Sequence, residues 1–567
     1  MKTGNPTTTS LGANNERVIP PNGITSSTAG ADYSPRSRAA IGLRKVFSFP
    51  IFLAALLVGG LFATLSLNLQ DVATNKSAHT NSFVEGDTWW HIAVGERILN
   101  THTWPTSDSY SFTAPGNDWV AYEWLGEVPM ALAARLGGLR GLAALLIALT
   151  SILMLLLYYY SYLRSGNVKA AFVACVVLLS PAAVCFSLRP QLFGYIFLLI
   201  TLICLERFRQ GRPRALWVLP IVFALWVNTH GSFVFGLMAL GVSWAAGLVD
   251  LRLGSLEAER SAPQQRRHIG LITLLCVLAL NLTPYGTRLA ANPLLMASSQ
   301  PVNIASVQEW QPMPFELLPG KIFLGIVLLF LVAQIVFRFT YRLEEMTLLL
   351  FAIYAACVHR RFILFFVVFF APWLAKLVAQ WVPGYQPAKD QYVLNFVLIG
   401  AIAFGIVKLF PSNRELDEVM ADSFPRGAVA HLRQHPAPGP LFNEYFWGGY
   451  LIHSLDARQK VFIDGRADVY EDGGVHSDYL RVIDLDRQAL SLLRKYGIEA
   501  CLIRRGAPLA TLLTAVPEWQ LVYGDDISVL FFRHTNAVTS AASRSDGISS
   551  LPRVEASSGS RTLVGTL

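Results

Sequence analysis

The feature that most constrains this chain is a repeated one: runs of roughly twenty residues almost free of charge, the length that spans a bilayer's hydrocarbon core. Candidate spans lie near 46–69, 139–163, 170–188, 190–206, 214–229, 231–250, 269–284, 320–337, 343–359, 361–381 and 391–410. A soluble chain of 567 residues would not combine 53% hydrophobic with 15% charged residues, because its surface needs more charge than that. The mean hydropathy of +0.42 points the same way. The expected fold class is an α-helical polytopic membrane protein with about eleven spanning helices.

The formal charge of +8 does not indicate a nucleic-acid partner, since the basic residues collect in short loops between apolar runs, as membrane insertion requires. Cys175, Cys185, Cys204, Cys276, Cys357 and Cys501 have neither disulfide-framework nor metal-ligand spacing. They read as small apolar residues.

Residues 1–45 are polar and without apolar period, and read as a disordered cytoplasmic N-terminus. A membrane domain over 46–410 follows, with a long first outer loop at 70–138. If the first helix runs from inside to outside, the cytoplasmic loops hold Arg164, Lys169, Arg207, Arg209, Arg212, Arg214, Arg252, Arg260, Arg266, Arg267, Arg338, Arg342, Lys376 and Lys389. Arg189, Arg360 and Arg361 fall at the opposite helix ends. Insertion does not favour them there, which makes them candidate anion ligands. Counting the amphipathic segment 121–137 as a span would invert every later loop, so it reads as an interfacial or re-entrant helix.

Beyond residue 411 the pattern changes. Short β-rich runs (PLFNEY, KVFIDGR, EACLIRR, WQLVYGD, SVLFFRH) alternate with helical ones (RGAVAHLRQH, RQALSLLRKYG, PLATLLTAV). This predicts an extracytoplasmic α/β domain over 411–535, followed by a disordered tail at 536–567. Glycines 448 and 449 read as tight turns in a strand–turn–strand core, and Asp464 and Arg466 as a pair.

The polar residues hardest to explain by packing gather at the outer face. Asp87 precedes the helical stretch TWWHIAVGERI, where it reads as an N-cap able also to face a cavity. His91 and Glu123 share its loop; Asp108 reads as a turn residue after Pro105. Later outer elements are SLRPQLFGY (Arg189), VNTHGSF (Asn228, His230), NLTPYG (Asn281, Tyr285), VQEWQ (Glu309) and VHRRF (His359, Arg360, Arg361). Several such junctions, acidic and basic, suggest a polar cavity opening outward. No GxSxG, HExxH or CxxC motif supports a hydrolase or peptidase.

This arrangement resembles the GT-C superfamily of membrane glycosyltransferases, which use polyprenyl-phosphate-linked sugars. DTWWHIAVGERI, PTSDSYSFT, WVAYEWL, RPQLFGY, WVNTHGSF, NLTPYG, EWQ and FNEYFWGGYLI with KVFIDGRADVY also resemble a set of bacterial membrane proteins placed near that superfamily. The match spans roughly 46–535. Trp447–Tyr450 with Phe462–Arg466 is similar to the Trp-Trp-Asp-Tyr-Gly segment of oligosaccharyltransferases, but Gly448 and Gly449 stand where that motif carries its acid.

The resemblance implies a multi-pass protein of the bacterial cytoplasmic membrane. It implies transfer of a sugar from a polyprenyl-phosphate donor to an extracytoplasmic glycan or protein acceptor in envelope assembly. On that reading Asp87 is the catalytic base, with Glu123 as the alternative. Arg189, Arg360 and Arg361 hold the phosphate, while His91, His230, Glu309 and Tyr285 position substrate. Some members use a divalent ion, and Asp87 with Glu85 or Glu309 offers the oxygen ligands that Mg²⁺ or Mn²⁺ prefer. The loop lacks a DxD pair, so metal dependence stays open. Two other readings remain: a non-catalytic scaffold or lipid-binding subunit of the same fold, and a transporter.

Overall fold

A computed structural model of the chain describes residue 44 and residues 46–74, 85–337, 339–455 and 459–534. Apart from residue 44, the segments expected to be disordered, 1–45 and 536–567, lie outside these residues. The helices of the apolar region are α1 (Phe49–Thr74), α2 (Gly86–Thr101), α3 (Trp124–Ser165), α4 (Val168–Val177), α5 (Leu179–Ala183), α6 (Gln191–Arg209), α7 (Leu219–Val227) and α8 (Phe233–Ala246). They continue as α9 (Pro263–Ala279), α10 (Thr287–Ser299), α11 (Pro301–Ser306), α12 (Leu318–Val336), α13 (Leu343–Val358), α14 (Ile363–Val378) and α15 (Tyr392–Lys408).

Every expected apolar run is helical, but the runs differ in length. Five helices of the described residues are long and apolar enough to cross a membrane: Phe49–Leu67, Trp124–Ser165, Gln191–Arg209, Leu318–Val336 and Arg360–Val378. A sixth candidate joins α15 to α16 (Asn413–Ser423) across a 54° bend. The chain is thus a multi-pass membrane protein. Several expected single spans are broken or shorter, notably α4–α5, where Leu178 leaves helical geometry just before Pro181.

The expected interfacial segment 121–137 and the span after it form one element, α3, kinked at Gly138 (φ 55°, ψ −139°). That conformation suits glycine alone. Aromatic side chains of α14 fill the centre of the bundle: Phe365, Phe366 and Phe370 are fully buried. Phe330 of α12 packs edge-on against Trp373, with ring centroids 4.5 Å apart.

Four of the basic residues assigned to one side by charge, Arg164, Arg209, Arg342 and Lys376, meet in one network. Glu206 accepts from Arg164 at 2.6 Å and from Arg342 at 3.1 Å. Arg209 pairs with Glu344 at 2.9 Å, Lys376 lies 3.5 Å from Glu345, and Arg164 also reaches Glu345. This network, built around the buried pair Arg164–Glu206, ties the ends of α3, α6, α13 and α14 together. A short sheet, β1 (Leu251–Leu253), β2 (Leu256–Ala258) and β3 (Tyr341–Arg342), closes the same end.

The C-terminal domain is α/β. Its elements after α16 are α17 (Arg426–Gln434), β4 (Leu441–Asn443), α18 (Tyr445–Leu455), α19 (Ala467–Glu471), α20 (Val475–Ile483), α21 (Ala489–Lys495), β5 (Ala500–Arg504), α22 (Pro508–Ala515), β6 (Trp519–Gly524) and β7 (Ser528–Arg533). The sheet order is β4-β5-β7-β6; β4 runs parallel to β5, and the other pairs are antiparallel.

Two expectations are corrected here. Residues 445–455 form a helix and not a strand–turn–strand, so Gly448 and Gly449 are helical positions of close approach. A Cβ on Gly449 would stand 2.6 Å from the carbonyl of Gly86, and one on Gly448 would overlap the carbonyl of Ile463. KVFIDGR forms no strand either: Val461 makes a single bridge to Ser111, and the rest is an extended segment laid against the first loop.

Candidate active site

The site forms where α2, the turn before α6, the segment 308–311, the turn before α14 and the C-terminal domain converge. Asp87 does not cap α2. The N-cap is Glu85, with extended backbone and no capping side-chain bond, and Asp87 lies in the first helical turn. A carboxylate there is favoured by the positive end of the helix dipole. Its side chain points at the turn before α6: Oδ2 lies 3.0 Å from Nη2 of Arg189. Oδ1 accepts from Trp90 Nε1 at 3.3 Å. Thr88 donates to the Leu188 carbonyl at 2.9 Å and so fixes α2 against that turn.

Arg189 bridges two acids. Its Nη1 donates to Glu309 Oε2 at 2.8 Å, and the other oxygen of Glu309 lies 3.2 Å from Arg361 Nη1. Arg361 also stacks 4.1 Å above the ring centroid of Trp310, the neighbour of Glu309. The chain Asp87–Arg189–Glu309–Arg361 therefore links four elements distant in sequence. Arg360 borders it through its backbone N–H, which donates to Gln311 at 3.0 Å. Among the described residues no carboxylate lies within ion-pair distance of its guanidinium.

A second cluster lies beneath. His91 Nδ1 is 3.1 Å from Glu127 Oε1, and its Nε2 is 3.6 Å from Glu123. His230 Nε2 is 3.5 Å from the other oxygen of Glu123. The Ser232 N–H donates to His230 Nδ1, which assigns the proton of the neutral ring to Nε2, facing Glu123. Trp124 Nε1 donates to Asn228 at 2.7 Å, fixing the start of α3.

Burial governs titration here. It pushes Glu123 up to about 8 against the pull of Arg189 and Arg361. It pushes Glu85 up to about 7, again against Arg189. Burial, with Glu309 nearby, also raises Asp87 despite Arg189. Burial acts on Glu309 too, but Arg189 and Arg361 reverse it and hold that carboxyl at about 2. Burial and the two arginines keep His230 neutral, at about 3. Burial, then Arg189, does the same to His91.

Of the residues expected from sequence, Asp87, Arg189, Glu309 and Arg361 stand in one network, with His91, Glu123 and His230 beside it. Tyr285 stands apart as a brace: its hydroxyl donates to the Pro105 carbonyl at 2.9 Å and accepts from Ala121 N–H at 3.3 Å. Asp108 is both a turn residue, accepting from Tyr110 and Ser111 N–H, and a partner of Arg466 at 2.7 Å. Sequence reading missed Glu127 and Trp310. The only signal for them was Glu123–Glu127 at one-turn spacing and the tryptophan beside Glu309.

The oxygen ligands considered for a divalent ion do not fit one as arranged. A guanidinium sits between Asp87 and Glu309, and no group of three His, Cys, Asp or Glu among the described residues is placed to hold a metal. Two cavities flank the network. One, a narrow cleft open to solvent, is lined by Thr88, Trp89, Leu142, Leu146, Leu188 and Met420, among others. The other, also open to solvent, has Arg361 and His230 beside aromatic side chains that include Trp226, Phe235 and Phe365.

No family model matches this sequence, and no curated protein does. Solved structures similar to it include the Archaeoglobus fulgidus oligosaccharyltransferase tethered with an acceptor peptide containing the NVT sequon (TM-score 0.48, 11% identity, 79% of this chain and 69% of that one). They also include archaeal oligosaccharyltransferase AglB from the same organism in complex with an inhibitory peptide and a dolichol-phosphate (0.47, 13%, 79% and 69%). ArnT from Cupriavidus metallidurans bound to undecaprenyl phosphate is a third (0.43, 13%, 83% and 97%). At these values no residue role passes from those proteins to this chain.

Proposed function

We propose that this chain is a membrane glycosyltransferase that moves a sugar from a polyprenyl-phosphate donor to an acceptor hydroxyl or amide. The observation that carries the reading is the array Asp87–Arg189–Glu309–Arg361, with Arg360 at its edge, set between an apolar cavity and an aromatic one. Its carboxylates and guanidinium groups are the residue types that a base and a phosphate-binding pair would need, and they stand together in one site. A non-catalytic scaffold predicts an Asp87 turned away to cap its helix, and Asp87 is not so placed.

The reaction is a displacement at the anomeric carbon. The Asp87 carboxylate takes the acceptor's proton as the acceptor oxygen or nitrogen bonds to that carbon, and the bond from carbon to phosphate oxygen breaks. The departing polyprenyl phosphate gains negative charge, which Arg361 and Arg360 stabilise; the planar guanidinium matches phosphate oxygens. Glu123, at about 8, carries its proton at neutral pH and suits donation more than abstraction. Asp87 stands first as the base because its carboxylate is held in the arginine array, at 3.0 Å from Arg189.

The test is binding of undecaprenyl phosphate to purified protein in detergent. Arg361→Ala and Arg360→Ala are expected to weaken it at least tenfold, about 1.4 kcal/mol, and Asp87→Asn to leave it within about threefold. Failure of the wild type to bind, or binding indifferent to both arginines, would remove the reading's support.

A further inference from the structure

The C-terminal domain is more than an appendage to this site. Its segment Asp464–Gly465–Arg466 lies directly on Asp87. A Cβ built on Gly465 overlaps Asp87 Oδ1 and stands 2.8 Å from its Cγ and 3.0 Å from Trp90 Nε1. A Cβ there would force the Asp87 carboxylate to shift, because real Cβ atoms essentially never approach other heavy atoms within 3.0 Å. The carboxylate is thus confined on three sides, by Arg189 at Oδ2, by Trp90 at Oδ1 and by the Gly465 backbone.

The segment itself is immobilised. Arg466 is fully buried, gives two parallel bonds to Asp464 (Nε to Oδ1 at 2.8 Å, Nη2 to Oδ2 at 2.7 Å) and one to Asp108 of the first loop at 2.7 Å. Its backbone N–H also donates to Asp464 Oδ1 at 2.9 Å. Just before it, the Ile463 carbonyl accepts from Asn443 at 2.9 Å, and the Phe462 carbonyl accepts from Thr113 of the first loop at 2.6 Å. The segment is held from both sides of the domain boundary, so its position relative to α2 is fixed.

We propose that Gly465 is a positioning residue: the C-terminal domain seats the Asp87 carboxylate against Arg189 by pressing a side-chain-free backbone onto Oδ1. Its consequence for chemistry rests on the glycosyltransferase reading, but the placement does not. With one face of the carboxylate covered by Gly465 and one edge held by Arg189, an acceptor reaches Asp87 only from the remaining open edge. The domain thereby sets the direction of proton transfer as well as roofing the site. A chain ending near residue 411 lacks this wall.

The test is a cycle of thermal transitions on the full-length protein in detergent: wild type, Gly465→Ala, Asp87→Ala, Asp87→Asn, and Gly465→Ala combined with each Asp87 variant. Gly465→Ala is expected to lower the transition by several degrees in the wild-type and Asp87→Asn backgrounds, where the colliding atoms remain. In Asp87→Ala most of that loss should disappear, because the collision partner is gone. If Gly465→Ala does not fold alone but folds with Asp87→Ala, the proposal stands. An equal loss in all three backgrounds, or a double variant that fails to fold like the single one, overturns it: the glycine would then serve only its own segment. The measurement needs neither donor nor acceptor, so it can fail or succeed independently of the lipid-phosphate binding experiment.

Discussion

Replacing Arg466 by methionine removes the one cation from a closed polar pocket. The Arg466, Asp464 and Asp108 side chains are 1%, 0% and 0% exposed, so no solvent compensates the loss. Asp464 would keep Tyr470, whose hydroxyl donates at 2.5 Å, and Asp108 would keep Ser111, which donates at 2.5 Å. Neither partner carries charge. Breaking a buried pair from one side costs about 3–5 kcal/mol, and here two carboxylates are stranded at once. The guanidinium's packing over Trp119 and Tyr110, at 4.8 and 5.0 Å, is lost as well, although methionine recovers part of the volume. Because Arg466 joins the first loop to the C-terminal domain, the damage should concentrate at their boundary. The assay is denaturant unfolding in detergent combined with trypsin cleavage of the folded protein. Arg466→Met should lose at least about 3 kcal/mol and be cut faster in the first loop, while Arg288→Ala, which breaks an exposed pair with Asp118, should change neither. A loss below about 1 kcal/mol, or unchanged cleavage, would refute the idea that this pocket staples the two domains.

Other expectations can be tested on the same protein. Glu123 is raised from 4.5 to about 8, so the folded state holds its proton more tightly than the unfolded chain and stability falls as pH rises from about 4.5 through 8. Glu123→Gln should flatten that slope and exceed the wild type above pH 8; parallel pH curves for the two would count against the assignment. Glu309 is the opposite case: held at about 2, it contributes stability present above about 4.5 and lost as pH falls toward 2. Glu309→Gln should therefore lower stability at neutral pH and lose less on acidification than the wild type, as read from melting between pH 3 and 7. Gly448→Ala should destabilise by more than about 1 kcal/mol, because its Cβ meets the Ile463 carbonyl and lies 2.7 Å from Asp464 Cα; a neutral effect would mean that α18 can shift away.

Much of this architecture was legible because membrane helices write their signal in composition. Eleven apolar runs were visible as runs, and each is helical, since a stretch without charge in that setting has no other stable backbone. Their lengths were less legible. Breaks such as that between α4 and α5 depend on packing, which hydropathy does not record. The C-terminal strands β4 to β7 followed from β-branched and aromatic runs, whereas KVFIDGR, equally rich in such residues, is no strand because its backbone groups are divided between the first loop and the Asn443 side chain. The Gly448–Gly449 pair was read as a turn because glycine has two uses, loose conformation and close approach, and sequence alone does not separate them. Asp87 illustrates the same limit: the residue type fits an N-cap, and only the position of Arg189, about a hundred residues on, decides its direction. The junction residues were found by being polar where insertion prefers otherwise, but their pairing was not, because it arises from contacts between distant segments.

The arginines that break the positive-inside pattern now divide by partner. Arg189 faces two carboxylates, Asp87 and Glu309, and its charge is more than matched; Arg361 shares Glu309 and leans on Trp310. Among the described residues Arg360 has no carboxylate within ion-pair distance, so the least-matched guanidinium stands at the Arg360–Arg361 end. An incoming phosphate meets no carboxylate at Arg360 and one, Glu309, at Arg361, whereas at Arg189 it would compete with two acids already in place. We infer that Arg189 organises the site and that Arg360 and Arg361 receive the anion. The two roles separate experimentally. Arg189→Ala leaves Asp87 without its cation and Glu309 with Arg361 alone, and should lower the melting transition markedly, with lipid-phosphate binding lost as a consequence. Arg360→Ala removes no carboxylate's partner and should leave melting unchanged while weakening undecaprenyl phosphate binding about tenfold. If Arg360→Ala instead melts early, or if Arg189→Ala stays stable and loses only binding, the division is wrong and Arg189 is itself a phosphate ligand.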